Sequence, residues 1–194
     1  MIEISGLTKS YGDKVIFKNL TFSVRENVCT AFTGDSGIGK TTLLRCITGL
    51  EKPDTGHIDG VENKKITFVF QENRLLAHAS VLENILCVAP DKQRAEYFLQ
   101  RTGLADESRK KAGELSGGMK RRLAVARALA AGGDIYYLDE PLRELDEGTE
   151  EKILQLIKEE ISGKTALLIT HDSLHTAALA DDIFRFAGSP MTIQ

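Results

Sequence analysis

Short apolar runs with the two-residue spacing of β-strands dominate the first part of the chain. Ile2–Ile4 and Leu20–Val24 alternate apolar with polar positions, and Val15–Phe17 consists of residues that favour strands. The turn-forming segment Tyr11–Asp13 separates the first run from the other two. Because these runs are short and closely spaced, they predict an antiparallel sheet rather than strand-helix-strand units.

Apolar runs without alternation predict buried strands in the rest of the chain. These runs are Val28–Thr33, Ile66–Phe70, Asp134–Glu140, Thr165–Thr170 and Ile183–Phe186. Helical spacing follows several of them, over Thr42–Leu50, Ile153–Ile161 and Leu174–Ala180. Turn residues at Pro53–Gly56 and Asp59-Gly60 predict two turns before the second run. The alternation of buried strands and helices predicts an α/β core.

The middle of the chain changes from strand to helix patterns after Gln71. Ser80–Glu83 matches a capping box, and Pro90-Asp91 opens a second helix that we expect to stop at Gly103. A third predicted helix runs from Met119 to about Ala131. We therefore predict a single domain with a core (residues 1–71 and 132–194) and an inserted helical lobe (residues 72–131).

The stretch that follows the predicted strand 28–33 matches G-x-x-x-x-G-K-[ST], the phosphate-binding loop. Glycines in such a loop let successive backbone N–H groups point inward, and the helix that follows adds the positive end of its dipole. We expect Lys40 to reach the β- and γ-phosphates and the Thr41 hydroxyl to ligate Mg²⁺. The candidate residues are Gly34, Asp35, Ser36, Gly37, Ile38, Gly39, Lys40, Thr41 and Thr42.

Polar residues stand at the ends of the predicted strands, where open α/β sheets bind ligands. Asp139 suits a carboxylate that orients Mg²⁺ or its water shell, and Glu140 is placed to polarise an attacking water. His171 ends the next strand, where it can contact a γ-phosphate, although a lone histidine by itself favours a structural role. Gln71 is uninformative by itself, and Tyr11 alone fits an aromatic that flanks a turn.

The segment from His171 to His175 also has the spacing of a zinc-binding H-E-x-x-H helix. Asp172 replaces the glutamate of that motif, and His171 directly follows a strand. These two departures favour the phosphate contact over zinc.

Composition narrows the classes of partner. The net charge is −3, and we interpret the basic clusters Arg109–Lys111 and Lys120–Arg122 as solvated faces, so no nucleic acid is expected. Three cysteines, Cys29, Cys46 and Cys87, without C-x-x-C spacing predict buried thiols in a reducing compartment. No apolar run is long enough to span a bilayer, and the N-terminus is no signal peptide, so we expect a cytoplasmic protein.

Taken in order along the chain, these motifs resemble the nucleotide-binding subunit of an ABC transporter from end to end. The decisive segment is Leu115–Gly118, which resembles the signature motif of that family and precedes Asp139 and Glu140. The resemblance implies an α/β fold, with a P-loop NTPase (RecA-like) core, an N-terminal antiparallel β-subdomain and an inserted helical subdomain. It also implies ATP and Mg²⁺ as cofactors and hydrolysis of ATP as the activity.

The resemblance further implies roles for single residues. Tyr11 matches the aromatic that stacks on adenine, and Gln71 matches the residue that senses the metal and the attacking water. Asp139 matches the acid that orients Mg²⁺, Glu140 the catalytic base and His171 the γ-phosphate switch. The signature residues that match the site for the γ-phosphate of the opposite subunit's ATP are Ser116, Gly117 and Gly118.

A site shared between two subunits follows if the phosphate loop and the signature motif lie on different lobes. The signature opens a helix, so its N–H groups form a second anion site that a second chain can complete. We expect ATP to close a homodimer or heterodimer of nucleotide-binding subunits, and hydrolysis to open it. Transmembrane permease subunits would use that motion and hold the protein at the inner face of the membrane.

Two features refine this expectation. Segments 70–76 and 80–84 resemble importers of the nitrate, sulfonate and taurine type, and the alternative is a soluble ABC-type ATPase that acts on a macromolecular assembly. Met119 stands where the signature usually has glutamine, and Arg143-Glu144 stands where Ser-Ala is usual. The charged pair bears on communication between subunits rather than on phosphate binding.

Overall fold

The computed structural model describes residues 1–194, which form two main β-sheets and six α-helices. The strands are β1 (Ile2–Tyr11), β2 (Lys14–Val24), β3 (Cys29–Thr33), β4 (Thr55–Asp59), β5 (Ile66–Val69), β6 (Ile135–Asp139), β7 (Thr165–Ile169), β8 (Asp182–Ala187) and β9 (Thr192–Ile193). The helices are α1 (Lys40–Ile47), α2 (Val81–Leu86), α3 (Lys92–Arg101), α4 (Gly117–Ala131), α5 (Glu147–Ile161) and α6 (Ser173–Leu179). The α/β fold class predicted from the sequence is confirmed.

The smaller sheet is antiparallel, with strand order β2-β1-β4. It confirms the predicted antiparallel sheet, but two predictions within it are wrong. The runs 15–17 and 20–24 form one long strand, which passes through Asn19 in a left-handed conformation. Residues 55–56, predicted as a turn, begin strand β4, whose exposed residues carry little hydrophobic signal and which is held by its pairing with β1.

The larger sheet has the order β5-β6-β7-β3-β8-β9, and all its strands except β9 are parallel. Every residue of β6 and β7 is buried, which explains why these segments show no alternation in the sequence. Parallel pairing brings the carboxyl ends of β5, β6, β7 and β3 to one edge. The loops that carry the candidate site residues therefore leave the sheet side by side.

Capping side chains set the starts of α2, α3 and α4. The predicted capping box is confirmed, because the Ser80 hydroxyl accepts from the Glu83 N–H at 3.1 Å and Glu83 Oε2 accepts from the Ser80 N–H at 2.7 Å. Asp91 caps α3 as predicted. Helix α4 starts at Gly117, two residues before the predicted Met119, because Ser116 is its N-cap.

Two hydrophobic clusters cover the two faces of the larger sheet. Along β6, Tyr136 and Leu138 belong to one cluster and Ile135 and Tyr137 to the other, as the alternation of side chains across a strand requires. The first cluster joins the sheet to α2, α3, α4 and α5, so the helical segment shares a core with the sheet. The second cluster joins the sheet to α1 and to the β1–β2 hairpin.

Two predictions about burial are wrong. Cys87 is exposed after the last turn of α2, whereas Cys29 and Cys46 are buried as expected. Arg121 belongs to a cluster that we interpreted as a solvated face, yet only 2% of it is exposed. No helix combines the length and the apolar character needed to cross a bilayer.

Candidate active site

The loop between β3 and α1 has a backbone that only glycine can follow at its turning points. Gly34 and Gly39 have φ values of 138° and 119°. A Cβ atom would lie 2.2 Å from the Phe186 carbonyl oxygen at Gly34 and 2.3 Å from Ile16 Cγ2 at Gly39. The loop is therefore held closely against β8 and β2, and it curls into the cradle expected for phosphate.

Lys40 is the first residue of α1, and its ammonium group lies inside the loop. Only 5% of the residue is exposed. Its Nζ donates to the carbonyl oxygens of Gly34 at 2.8 Å and Asp35 at 2.7 Å. Burial lowers the pKa of Lys40, and the charges of Glu140, Asp35 and Asp139 oppose that effect. The result is a fixed, buried cation without an ion pair, which suits an anionic ligand.

Thr41 and Asp139 form a pair of oxygen donors between α1 and the end of β6. Asp139 is 2% exposed, and its Oδ2 accepts hydrogen bonds from Thr41 Oγ1 at 3.1 Å and from the Tyr137 hydroxyl at 2.9 Å. The structure has no cluster of three acidic, histidine or cysteine side chains that could hold a metal by itself. A hydroxyl and a carboxylate fit Mg²⁺, which usually takes few protein ligands and completes its shell with phosphates and water.

Glu140 follows β6 and has a positive φ of 50°, a conformation that non-glycine residues rarely adopt. Its side chain is 17% exposed, and Oε1 lies 3.5 Å from His171 Nε2 without making a hydrogen bond. Burial raises the pKa of the Glu140 carboxyl. The site thus contains a strained residue with one unpartnered carboxylate oxygen.

His171 and Gln71 complete the edge of the sheet. His171 follows β7, and its Nε2 lies 3.3 Å from Ser36 Oγ in the phosphate loop. Gln71 follows β5 on the other side of β6. These residues line one open cavity of about 470 Å³. Its lining consists of Ser36, Gly37, Gly39, Lys40, Thr41, Thr42, Gln71, Asp139, Glu140, Arg143, Ile169 and His171.

Some predicted site residues lie outside this lining. Tyr11 is exposed at the end of β1, where its hydroxyl donates to Glu51. Burial and the hydrogen bond to Glu51 raise the pKa of Tyr11. Gly34, Asp35 and Ile38 do not line the cavity, although the carbonyl oxygens of Gly34 and Asp35 accept from Lys40 Nζ. The signature residues Ser116, Gly117 and Gly118 begin α4 and do not line the cavity.

Two charged residues near the site were missed. Arg143 lines the cavity, although the sequence shows it only as an unusual residue. Arg121 is buried behind Glu140 and donates to the carbonyl oxygen of Asp139 at 2.8 Å. Helical spacing places Arg121 on the same face of α4 as the buried Val125 and Ala128, and this periodicity could have revealed its burial.

Comparisons with known proteins agree with this geometry. The family model described as ABC transporter matches residues 17–143. The chain is 34% identical to the arginine transport ATP-binding protein ArtM of Bacillus subtilis, over 94% of the chain and 86% of that protein. It is 40% identical to the aliphatic sulfonates import ATP-binding protein SsuB of Zymomonas mobilis, over 94% of the chain and 80% of that protein.

Among solved structures, the fold is similar to a dimeric post-hydrolysis state of the ATP-binding cassette MJ0796 bound to ADP and Pi. The TM-score is 0.86 at 31% identity, and the match covers 95% of this chain and 94% of that one. The chain therefore belongs to the ABC transporter family, as one of its ATP-binding and ATP-hydrolysing subunits.

Proposed function

We propose that this chain binds Mg²⁺ and ATP in the cavity at the edge of the larger sheet and hydrolyses the nucleotide to drive a transporter. One observation carries the proposal: the buried ammonium of Lys40 and the unpartnered carboxylate oxygen of Glu140 line the same cavity of about 470 Å³. A cation that binds phosphate and a base that faces the attacking water are the two groups this reaction needs.

The binding step uses the loop and the donors around it. Backbone N–H groups of residues 34–42 and the N-terminus of α1 would hold the phosphates, and Lys40 would neutralise charge on the β- and γ-phosphates. Thr41 and Asp139 would hold Mg²⁺, with Gln71 at the rim of the same site; the ion, when bound, neutralises charge on the phosphates. Tyr11, exposed at the end of β1, would stack on adenine.

The hydrolytic step uses the two residues that follow β6 and β7. Glu140 orients water and accepts its proton, and its raised pKa brings this base closer to neutral pH, where proton transfer is more effective. His171, which lies beside Ser36, donates to the γ-phosphate and links the phosphate loop to Glu140. Gln71, in the lining of the same cavity, would orient the water.

The proposed complex contains a second nucleotide-binding subunit, identical or related. The core (residues 1–71 and 132–194) carries the phosphate loop, and the helical lobe (residues 72–131) carries the signature. Because Ser116–Gly118 lie outside the chain's own cavity, we assign them to the γ-phosphate of the ATP held by the partner. The dimeric cassette with ADP and Pi supports this arrangement.

The other partners are transmembrane permease subunits, which would hold the chain at the cytoplasmic face of the membrane. The names of the curated relatives, which describe transport or import of arginine and of aliphatic sulfonates, favour an importer over a soluble ATPase acting on an assembly. Co-purification from detergent-solubilised membranes tests this part. Recovery of a polytopic membrane protein supports it, and recovery of ribosomes or DNA instead contradicts it.

Replacement of Lys40 tests the nucleotide site directly. We expect Lys40→Ala to lose ATP binding and to reduce hydrolysis by at least about a hundredfold, because no other cation lies inside the loop. Binding of a fluorescent ATP analogue and release of phosphate measure the two effects. Lys152→Ala, an exposed lysine on α5, is the matched control and retains both. Hydrolysis by Lys40→Ala at the wild-type rate refutes the proposed site.

A further inference from the structure

Arg121 is the largest fully buried side chain, and it has no carboxylate partner. It lies on α4, five residues after Ser116, and its guanidinium is surrounded by carbonyl oxygens. Burial lowers its pKa to about 10, so the group still carries its charge at neutral pH. A buried charge of this kind is costly unless each of its donors is satisfied, which points to a specific structural task.

The donors of Arg121 divide between two segments that carry candidate catalytic residues. On one side, Nη1 donates to the Phe70 carbonyl oxygen at 2.6 Å and lies 3.5 Å from that of Gln71. On the other side, Nη2 donates to the carbonyl oxygens of Asp139, at 2.8 Å, and Glu140, and Nε donates to that of Pro141 at 3.1 Å. The planar guanidinium can donate hydrogen bonds to both segments at once, whereas a lysine ammonium is too compact to do so.

The two segments differ in the number of other side-chain hydrogen bonds that they accept from α4. Arg127, farther along α4, donates to the carbonyl oxygens of Arg74 at 2.9 Å and Asn73 at 3.2 Å, so the segment after Gln71 is tied twice. The turn at Glu140 accepts side-chain hydrogen bonds from α4 through Arg121 alone. The N-terminus of the same helix is the signature motif.

We propose that Arg121 is a positioning residue for ATP hydrolysis, which couples the signature helix to Glu140 and to Gln71 through their backbone carbonyl groups. The inference rests on the proposed roles of Glu140 and Gln71. A displacement of α4 when the signature meets its ligand moves the guanidinium, and the guanidinium moves both segments together. The strained turn at Glu140, with φ at 50°, is held in place by this contact.

Steady-state kinetics of the purified full chain test the proposal. Arg121→Gln removes the guanidinium. We expect kcat to fall by about tenfold to a hundredfold, while KM for ATP stays within about threefold. The reason is that a small misplacement of a catalytic group affects mainly the chemical step. Arg121→Lys keeps the charge without the planar guanidinium, and its kcat is expected to lie between those of Arg121→Gln and the wild type.

Arg122→Gln is the matched control. Arg122 is the next residue on α4 and also donates to carbonyl oxygens, at 2.7 Å to Thr102 and 3.1 Å to Gly103, but these belong to the helical segment. Its kcat is expected to stay within about twofold of the wild type. Thermal unfolding and ATP-analogue binding are recorded for every variant, so that loss of folding is separated from loss of positioning.

The split between kcat and nucleotide affinity supplies a readout that a loss of folding would not produce. A positioning role lowers kcat and leaves binding of the ATP analogue unchanged in Arg121→Gln, whereas Arg122→Gln changes neither. A folded Arg121→Gln variant with wild-type kcat overturns the proposal. If Arg121→Gln does not fold, a folded Arg121→Lys variant with wild-type kcat overturns it.

Glu140→Gln is assayed in parallel to distinguish failure of the positioning role from failure of the proposed function. If Glu140→Gln loses hydrolysis and Arg121→Gln does not, the positioning role fails while the proposed function stands. If Glu140→Gln hydrolyses ATP at the wild-type rate, the assignment of the base fails, and with it the reason for positioning it.

Discussion

Burial of Glu140 has consequences for both activity and stability. The carboxylate is mostly withdrawn from solvent, one of its oxygens has no hydrogen-bond donor, and its pKa is raised by burial. A raised pKa in the folded state means that Glu140 contributes stability below its unfolded pKa and loses that contribution as the pH rises through the folded pKa. At neutral pH the protein therefore carries an ionised group at the expense of stability, which is common at catalytic positions.

The neutral amide of Glu140→Gln removes this cost. We expect the variant without nucleotide to be more stable than the wild type at about pH 7.5, by on the order of 1 kcal/mol. This gain in stability shrinks towards zero at about pH 4, where the wild-type carboxyl is protonated. Urea unfolding at the two pH values measures it, with exposed Glu147→Gln as control. An equal gain at both pH values would contradict the raised pKa.

At the scale of elements, short helices depend on the hydrogen bonds at their ends. Helix α2 has only six residues, and its first turn is held by the reciprocal bonds between Ser80 and Glu83. The backbone N–H of Ser80 lowers the pKa of Glu83. This part of the stability is present above the ordinary glutamate pKa and is lost as the pH falls through the lowered one.

Loss of the Ser80 hydroxyl is expected to destabilise the chain by about 1 kcal/mol, because one N–H at the start of α2 loses its acceptor. Urea unfolding of Ser80→Ala measures the change. Ser162→Ala, at the C-terminal end of α5, serves as control and is expected to change stability by less than about 0.5 kcal/mol. Equal effects of the two substitutions would show that the capping box contributes nothing specific.

At the scale of the whole molecule, the parallel sheet brings the cavity residues together, and the helical segment places the proposed signature outside that cavity. The carboxyl ends of β3, β5, β6 and β7 supply the cavity. The signature at the start of α4 does not line the cavity, and Arg121 is the side chain that reaches from that helix to the turn at Glu140. A nucleotide bound between two such chains would contact the phosphate loop of one chain and the signature of the other.

A hydrolysis-deficient chain should therefore remain closed on its nucleotide. We expect Glu140→Gln to form a stable dimer in Mg²⁺ and ATP, because binding to the dimer alone shifts the equilibrium by mass action. Light scattering with and without ATP measures the mass. The double variant Lys40→Ala with Glu140→Gln is the control and stays monomeric. A Glu140→Gln variant that remains monomeric in saturating ATP, with its partner present, argues against the shared site.

The sequence by itself determined the fold class, the order of the motifs and most residues of the cavity. Asp139 and His171 could be placed because each stands at the end of an apolar run that predicts a buried strand, and Lys40 because it belongs to a phosphate-loop motif. Both signals depend only on near neighbours in the chain. The capping box at Ser80 was visible for the same reason.

The tertiary structure decided the features that depend on distant partners. Strand β4 has an exposed, polar pattern and exists through its pairing with β1. Burial of Arg121 requires carbonyl groups from two loops that are distant from it in the chain. The raised pKa of Glu140 requires the surrounding residues that shield its carboxyl from solvent. Desolvation of a side chain and pairing of an edge strand are properties of the folded molecule, so no local sequence pattern encodes them.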